Sequence, residues 1–452
     1  MKTVSFITLG CRVNQYETQS IREELFRMGY TEGEKWETSD LILINTCAVT
    51  GESVRKSKQM LRRALRQKEK NPATVLCICG CYSQGAEEET LFRNVDVIAG
   101  NTGKSKLARI LNDCYETDPA ERKQLDLRED ISRIKKFEEM SLCRSHNVRS
   151  FVKIQDGCNS FCSYCYVPLV RGRVRSRDPE NVRAEVIRLA ENGYREVVLT
   201  GIETGAYGQG EEGKGDLCQL VEMLHGIDGI ERLRFGSLKP TVFTEDFCRR
   251  LSVLPKVMPH FHLSLQSGSD RILSAMRRRY GRRDEEISVE NIYRYFPDAG
   301  LSADLICGFP GEWEGDFLET VSLVSFANLL HTHIFPFSPR QGTAAFQMKD
   351  DVSPEEKKRR CAELLEQSKI SSSLYHEKRV GKTYRVLCEK IENGYAFGYT
   401  ENFIHTKTKI NTKPEIGGIF PIVLTNKREF SVETMTVLSK TSETVDNFEK
   451  KL

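Results

Sequence analysis

The chain has 452 residues, 29% of them charged and 39% hydrophobic, with a formal net charge of only +3. That length holds two or three domains with sizeable cores, and no stretch approaches the roughly 18 apolar residues of a membrane span. A near-neutral total excludes nucleic-acid binding by the field of the whole molecule and leaves only local patches for it.

The start, MKTVSFITLGC, reads as a first strand and not as a signal peptide, so we expect a cytoplasmic protein. Fifteen cysteines in a reducing compartment then argue for metal ligands or catalytic thiols over disulfides. Residues 1 to about 110 alternate strand-length apolar runs (VSFITLG, DLILINTC, TVLCICGC, DVIAG) with helix-like segments. That order predicts a parallel sheet with helical crossovers. Residues 111–148 lose the pattern, gain charge and read as a linker or excursion.

From 151 to about 340 the six strand candidates are FVKIQ, EVVLTG, RLRFGS, HFHLSLQ, SADLICG and HTHIFPFS, most of them separated by helix candidates. Six β/α units are too few for an eight-fold barrel and predict a partial one, with its site at the C-terminal strand ends. Beyond a polar helical stretch near 353–375, short strands with Gly and Asn turns predict a small all-β barrel.

Cys158, Cys162 and Cys165 have the spacing C-x3-C-x2-C in a loop after FVKIQ. Three thiolates on one loop would hold a four-iron cluster with one iron left open. A zinc site with a distant fourth ligand, or three incidental thiols, would share the spacing. A second trio is spread out: Cys11, Cys47 and Cys81 lie 36 and 34 residues apart, about one β/α unit each. Each ends an apolar run, so all three should meet at the C-terminal edge of one sheet. Cys77 and Cys79 fall on one strand face with Cys81 at period two, as buried strand residues or as ligands.

The loop, with Tyr164 just before its last cysteine, resembles the radical S-adenosylmethionine enzymes. TLGCRVNQYET, NTCAVT, CGCYSQ, KIQDGCNSFCSYC, LSLQSGSDRILSAMRRRY, GFPGE and SPRQGTAA together resemble the methylthiotransferases of that superfamily, in the family's order. The resemblance implies an α/β protein of three domains: an N-terminal parallel-sheet domain over 1–140, a partial (β/α)6 radical S-adenosylmethionine barrel over 145–372, and an RNA-binding TRAM barrel over 375–440. It further implies two 4Fe-4S clusters. The one on Cys158, Cys162 and Cys165 would cleave S-adenosylmethionine to a radical, and the one on Cys11, Cys47 and Cys81 would carry the inserted sulfur. Radical chemistry suits the task, because a ring C–H bond is not acidic enough for base catalysis.

Tyr164, Gly201, Glu203, Ser264, Gln266 and Asp304 are the residues expected around S-adenosylmethionine. A glycine admits close approach and a carboxylate accepts from an ammonium. Glu203 stands where the closest subgroup is expected to carry His, and Trp313 where Thr is more usual. In RGRVRSR the arginines alternate, so an extended backbone would send Arg171, Arg173, Arg175 and Arg177 to one side. There, beside the cysteine loop, the first three would contact RNA phosphate or cofactor carboxylate. Arg277–Arg279 with Arg282 and Arg283 form another basic group, and Arg55–Lys68 a third. Tyr395, Phe397, Tyr399 and Phe403 lie among lysines, a mixture that stacks bases or fills a strand core.

Within the family, TLGCRVNQYET resembles the subgroup acting on threonylcarbamoyl-adenosine in tRNA (the MtaB type); isopentenyl-adenosine enzymes tend to carry YGCQMN there and ribosomal-protein enzymes SLGCPKN. The expectation is a cytoplasmic, monomeric tRNA methylthiotransferase served by an electron donor of flavodoxin or ferredoxin type. The alternatives are the other two substrates, or a non-catalytic iron–sulfur RNA-binding protein.

Overall fold

The computed structural model describes residues 2–86, 90–145, 147–209, 215–409, 414–425 and 432–436. The N-terminal sheet holds β1 (Lys2–Thr8), β2 (Tyr30–Glu32), β3 (Leu41–Thr46), β4 (Val75–Gly80), β5 (Val97–Ile98) and β6 (Leu125–Asp126). Their order is β2-β1-β3-β4-β5-β6, and every pair is parallel. Every residue of β3 and β4 is buried, as a central parallel strand covered on both faces requires. Helices α1 (Arg12–Arg27) and α2 (Gly51–Lys70) follow β1 and β3, and α3 (Cys81–Gly85) and α4 (Leu107–Glu116) follow β4 and β5. The charged stretch 111–148 is more than a linker: it finishes α4, supplies β6 and buries Met140 and Leu142 in the core.

The second region contains β7 (Ser150–Lys153), β8 (Gln155–Asp156), β9 (Arg175–Ser176), β10 (Glu196–Thr200), β11 (Arg232–Phe235), β12 (Ser237–Leu238), β13 (His260–Gln266), β14 (Gly300–Cys307) and β15 (His331–Pro336). Two parallel sheets form, β11-β10-β7 and β12-β13-β14-β15, parted only at Gly236 between β11 and β12. The short helix α5 (Val167–Arg171) lies in the cysteine loop, and α6 (Pro179–Glu191) follows β9, capped by Asp178. Odd-numbered residues of β13 (Phe261, Leu263, Leu265) pack into the apolar layer under the helices. Even-numbered ones (His260, His262, Ser264) face the other side, where the polar groups collect.

The strands β16 (Thr383–Glu392), β17 (Tyr395–Tyr399), β18 (His405–Lys409), β19 (Ile419–Val423) and β20 (Val432–Thr436) close into a small barrel. It docks on the second region through backbone carbonyls. Arg232 donates to Arg385 O (2.6 Å) and Tyr399 O (3.2 Å), and Arg234 to Thr400 O and Glu401 O (both 2.8 Å). Residues 410–413, 426–431 and 437–440 of the expected RNA-binding segment lie outside the described residues. Among the described residues no helix is long and apolar enough to cross a membrane.

The first two regions are joined by a buried ion network. Glu17 of α1 meets Lys153 (2.8 Å), Arg171 (2.5 Å) and Lys104, and Asp156 meets Lys153 (2.5 Å), Arg171 (3.2 Å) and Arg175 (3.8 Å). Burial opposes ionisation of Asp156, yet Lys153, Arg171 and Arg175 hold its carboxyl at about 2. A depressed folded-state pKa contributes stability above the unfolded value of roughly 4, lost as pH falls towards 2. Arg171→Met leaves Glu17 and Asp156 short of a cation, and we expect a loss of about 3–5 kcal/mol in urea unfolding at neutral pH. The deficit should shrink as the pH drops through that window, where the carboxyls protonate; a pH-independent deficit would contradict the electrostatic assignment.

Candidate radical site and its second cysteine trio

Each scattered cysteine sits at the C-terminal end of a neighbouring strand. Cys11 caps α1 after β1, Cys47 follows β3, and Cys81 opens α3 directly after β4. They converge: burial raises the thiol pKa of Cys11 and of Cys47, and the neighbouring sulfurs add to it, Cys81 and Cys47 at Cys11 and Cys81 at Cys47. Two glycines permit the approach. A Cβ on Gly10 (φ +101) would lie 2.8 Å from Cys47 Cβ, and one on Gly80 (φ +100) 2.5 Å from Asn45 Oδ1 and from Thr46 O. Cys77 and Cys79 are instead fully buried in the core, and burial pushes the Cys79 thiol up to about 11. Cys81 does not continue their face, because the strand ends at Gly80.

Cys158, Cys162 and Cys165 lie on the loop between β8 and β9. Gly157 (φ +72) starts the loop, and a Cβ there would fall 1.8 Å from Arg173 O. Cys158 N–H donates to Gly172 O (3.0 Å) and Cys165 N–H to Cys162 O (3.0 Å), which folds the loop back on itself. Burial pushes the Cys165 thiol up to about 12, with the fields of Cys162 and Cys158 adding to it.

Both trios suit thiolate ligation, because hydrogen-bond donors point at the sulfurs. Ser160 N–H reaches Cys158 Sγ (3.4 Å), Arg278 Nη1 reaches Cys162 Sγ (3.4 Å), and Asn101 Nδ2 reaches Cys81 Sγ (3.5 Å). Burial raises the Cys47 pKa, while the Val49 N–H, the Ser53 hydroxyl and Arg171 lower it. Such donors stabilise sulfur-centred negative charge.

Around the loop trio, Glu203 accepts from Cys158 Sγ (3.0 Å) and Ser160 Oγ (2.9 Å) and pairs with Lys239 (2.5 Å). Burial and then Glu203 push the Cys158 thiol up to about 11. Gly201 packs on Gln155, whose Oε1 accepts from Glu203 N–H (2.7 Å). Tyr164 packs against the cluster of Ile272, Met276, Phe309 and Phe337. Ser264 presents its carbonyl to Arg278 (2.6 Å) and Tyr280 (2.7 Å), and Gln266 sits buried at an irregularity of β13 with φ +78. Asp304 lies between His262 (3.1 Å) and His333 (3.2 Å), each bonding one carboxylate oxygen.

The arginine pattern after the cysteines needs correcting. Arg171 and Arg175 are buried and committed to the ion network, and Arg177 is buried against Glu185 (2.5 Å), so none of the three is free for RNA. α5 and the turn at Gly172 (φ +70) break the alternation, leaving Arg173 exposed over the Phe161 ring at 4.4 Å. Asn14, Gln155, Asn101 and Arg278 are the support residues that sequence reading missed; only the RRR run around Arg278 gave a signal. Arg12, next to Cys11, is half-buried over the Phe151 ring of β7 at 5.8 Å.

Residues 3–100 match the family described as Uncharacterized protein family UPF0004, and residues 152–324 match the Radical SAM superfamily. The chain is similar to "Threonylcarbamoyladenosine tRNA methylthiotransferase MtaB" of Bacillus subtilis, with 33% identity over 93% of each chain. It is also similar to the protein of that name from Chlamydia pneumoniae, with 37% identity over 89% of this chain and 90% of the other. "tRNA-2-methylthio-N(6)-dimethylallyladenosine synthase" of Pelotomaculum thermopropionicum shares 35% identity over 95% and 96%. Among solved structures, the radical S-adenosylmethionine methyltransferase TsrM of Kitasatospora setae aligns at TM-score 0.53 and 15% identity, over 74% of this chain and 73% of that one, and shows the fold alone. Fold and cysteine loop therefore define a radical S-adenosylmethionine enzyme. The chain belongs to the radical S-adenosylmethionine methylthiotransferase family.

Gly157→Ala should destroy the loop geometry without removing a ligand. We expect iron held by Cys158, Cys162 and Cys165 and reductive cleavage of S-adenosylmethionine to be lost together; retention of both would show that the loop tolerates a Cβ.

Proposed function

We propose that this chain inserts a methylthio group at carbon 2 of N6-threonylcarbamoyladenosine beside the anticodon of tRNA. The observation that carries the reading is the pair of three-thiol sites on adjoining regions, tied together by one buried arginine, Arg171. Three thiols in each place suit a 4Fe-4S cluster with one open iron: Cys158, Cys162 and Cys165 for the first, Cys11, Cys47 and Cys81 for the second. When bound, these groups and S-adenosylmethionine supply the radical and the sulfur.

The chain's own residues bind and orient. Thiol ligation releases protons, which takes the Cys158 hydrogen bond away from Glu203 and frees that oxygen to accept from the ammonium of S-adenosylmethionine. Lys239 and Gln155 keep the carboxylate in place. Gly201 leaves room for the methionine portion, Tyr164 backs the loop, and Ser264, Gln266 and Asp304 offer polar groups from the neighbouring strands. The two parallel sheets act as one partial (β/α)6 barrel, and the closed five-stranded barrel as a TRAM domain. On it, Tyr395 and Phe397 remain half-exposed, and Lys407 lies over Tyr395 at 4.5 Å, a combination suited to stacking bases. Arg173 is the one expected RNA-contact arginine that stays exposed. The proposed enzyme is a cytoplasmic monomer with a flavodoxin- or ferredoxin-type reductant.

A second reading, isopentenyl-type adenosine as substrate, is favoured by relatives of that activity at comparable identity. Anaerobic reconstitution should give about eight irons per chain, falling to about four when Cys158, Cys162 and Cys165 are all changed to Ala; about four falling to none would leave Cys11, Cys47 and Cys81 without a cluster. With tRNA lacking the threonylcarbamoyl group, mass spectrometry of nucleosides should find no methylthio product. Undiminished product there would reject the substrate, and product on isopentenyl-adenosine tRNA would select the second reading.

A further inference from the structure

The charges on the polar side of the β7–β15 strands are almost all answered. Glu196 faces Arg232 (3.4 Å), Arg234 (2.8 Å) and Arg149 (3.8 Å), and Arg149 also pairs with Glu389 (2.5 Å). Asp304 is held by two histidines. Arg12 differs. Among the described residues it makes no hydrogen bond and no ion pair; it lies over the face of Phe151, and Arg149, Asp304, Glu196 and Cys11 act on it only through their fields. It is the first residue of α1, so its backbone is covalently tied to Cys11. A half-buried guanidinium gives up hydration with no bonded anion to replace it, and its planar fork matches a carboxylate with two parallel hydrogen bonds.

We infer that Arg12 reads the substrate: its guanidinium binds the threonine carboxylate of threonylcarbamoyl-adenosine while carbon 2 of the base faces Cys11, Cys47 and Cys81. The inference rests on the function proposed above and deepens it. Carbon 2 and the N6 substituent flank the same ring nitrogen of adenine, N1. A cation one residue from a cluster-bearing cysteine is therefore on the correct edge of the base to reach the substituent's carboxylate. An isopentenyl group has no charge to offer, and a site built around an unpaired cation rejects a substrate that leaves it unpaired. A backbone phosphate is the competing anion, but it would be shared by every tRNA and would give no discrimination.

The test uses the full chain, reconstituted anaerobically, and two synthetic anticodon stem-loops. One carries threonylcarbamoyl-adenosine and the other its threonine methyl ester, which keeps size and hydrogen-bonding groups but loses the charge. For the wild type we expect KM to be about 10- to 100-fold higher on the ester. Arg12→Gln should raise KM on the free acid into that range and leave the ester unchanged. Arg12→Lys should recover part of the difference, because it keeps the charge without the fork. Equal use of both stem-loops by the wild type would overturn the inference. So would an equal loss on both stem-loops in Arg12→Gln, the signature of a phosphate contact. Iron and sulfide content is measured on each variant; should Arg12→Gln lose its irons, the wild-type comparison and Arg12→Lys still decide. If the wild type modifies neither stem-loop and accepts an isopentenyl one, the proposed function falls and this inference with it. Good turnover of both stem-loops removes only the inference.

Discussion

Arg171 is the residue on which both sites depend. Its guanidinium is fully buried and donates to Glu17 and Asn14 of α1 (both 2.5 Å) and to Asp156 of β8 (3.2 Å). Asn14 in turn holds Leu9 O and Thr46 O (2.8 and 2.9 Å) beside Cys11 and Cys47, while the next residue, Gly172, accepts from Cys158 N–H. One side chain thus fixes the distance between two cysteine sites that the sequence keeps far apart. Taking so many charges out of water costs several kcal/mol per ion unless each is matched. Here four cations (Lys104, Lys153, Arg171, Arg175) stand against two carboxylates (Glu17, Asp156). The positive excess lies beside the scattered trio, where burial raises the thiol pKa of Cys11 and Cys47 and Arg171 opposes that rise. The network that joins the two regions is therefore also a counter-charge for thiolates.

The geometry of the scattered trio follows from parallel-sheet arithmetic. Strand, helix and return take about 35 residues, and each return brings the chain back to the same edge of the sheet. Because β1, β3 and β4 are adjacent in the sheet, cysteines placed within three residues of each strand end meet at one edge. Gly10 and Gly80 remove the side chains that would keep those turns apart. The loop trio solves the same problem locally, through one glycine-initiated loop pinned by its own backbone bonds.

What could be read from sequence was whatever obeys a spacing. The strand runs, the two cysteine trios and the small C-terminal strands all have a period or a fixed interval, and the structure brings each trio together. Cys77 and Cys79 were ambiguous because burial on a central strand and ligation use the same residue type at the same period. The arginines after Cys165 misled for a related reason: alternation says which residues share a face but not whether that face meets water or two buried carboxylates. Glu17 and Asp156 lie 139 residues apart in the chain, and nothing local announces that they meet the same guanidinium. The strand at Leu125–Asp126 was missed because two exposed residues in a charged segment carry no periodic signal.

The docking of the C-terminal barrel has a consequence for recognition. Arg232 and Arg234 reach backbone carbonyls of the barrel, while Glu389 on Arg149 (2.5 Å) and Tyr384 on Asp298 (2.6 Å) add side-chain contacts to the same junction. Phe403 stacks on His260 (4.2 Å) and Tyr399 stacks on Phe403 (4.5 Å), which commits those two aromatics to the junction. Tyr395 and Phe397 are farther along the same barrel and stay half-exposed. The barrel is tied to β11 and β13, and β13 also carries Ser264 and Gln266, so on the proposed function a tRNA held there is held by a body fixed to the strand beside the radical site. The proposed binding energy at the barrel would then position one base at a distant reaction centre, as transition-state complementarity requires.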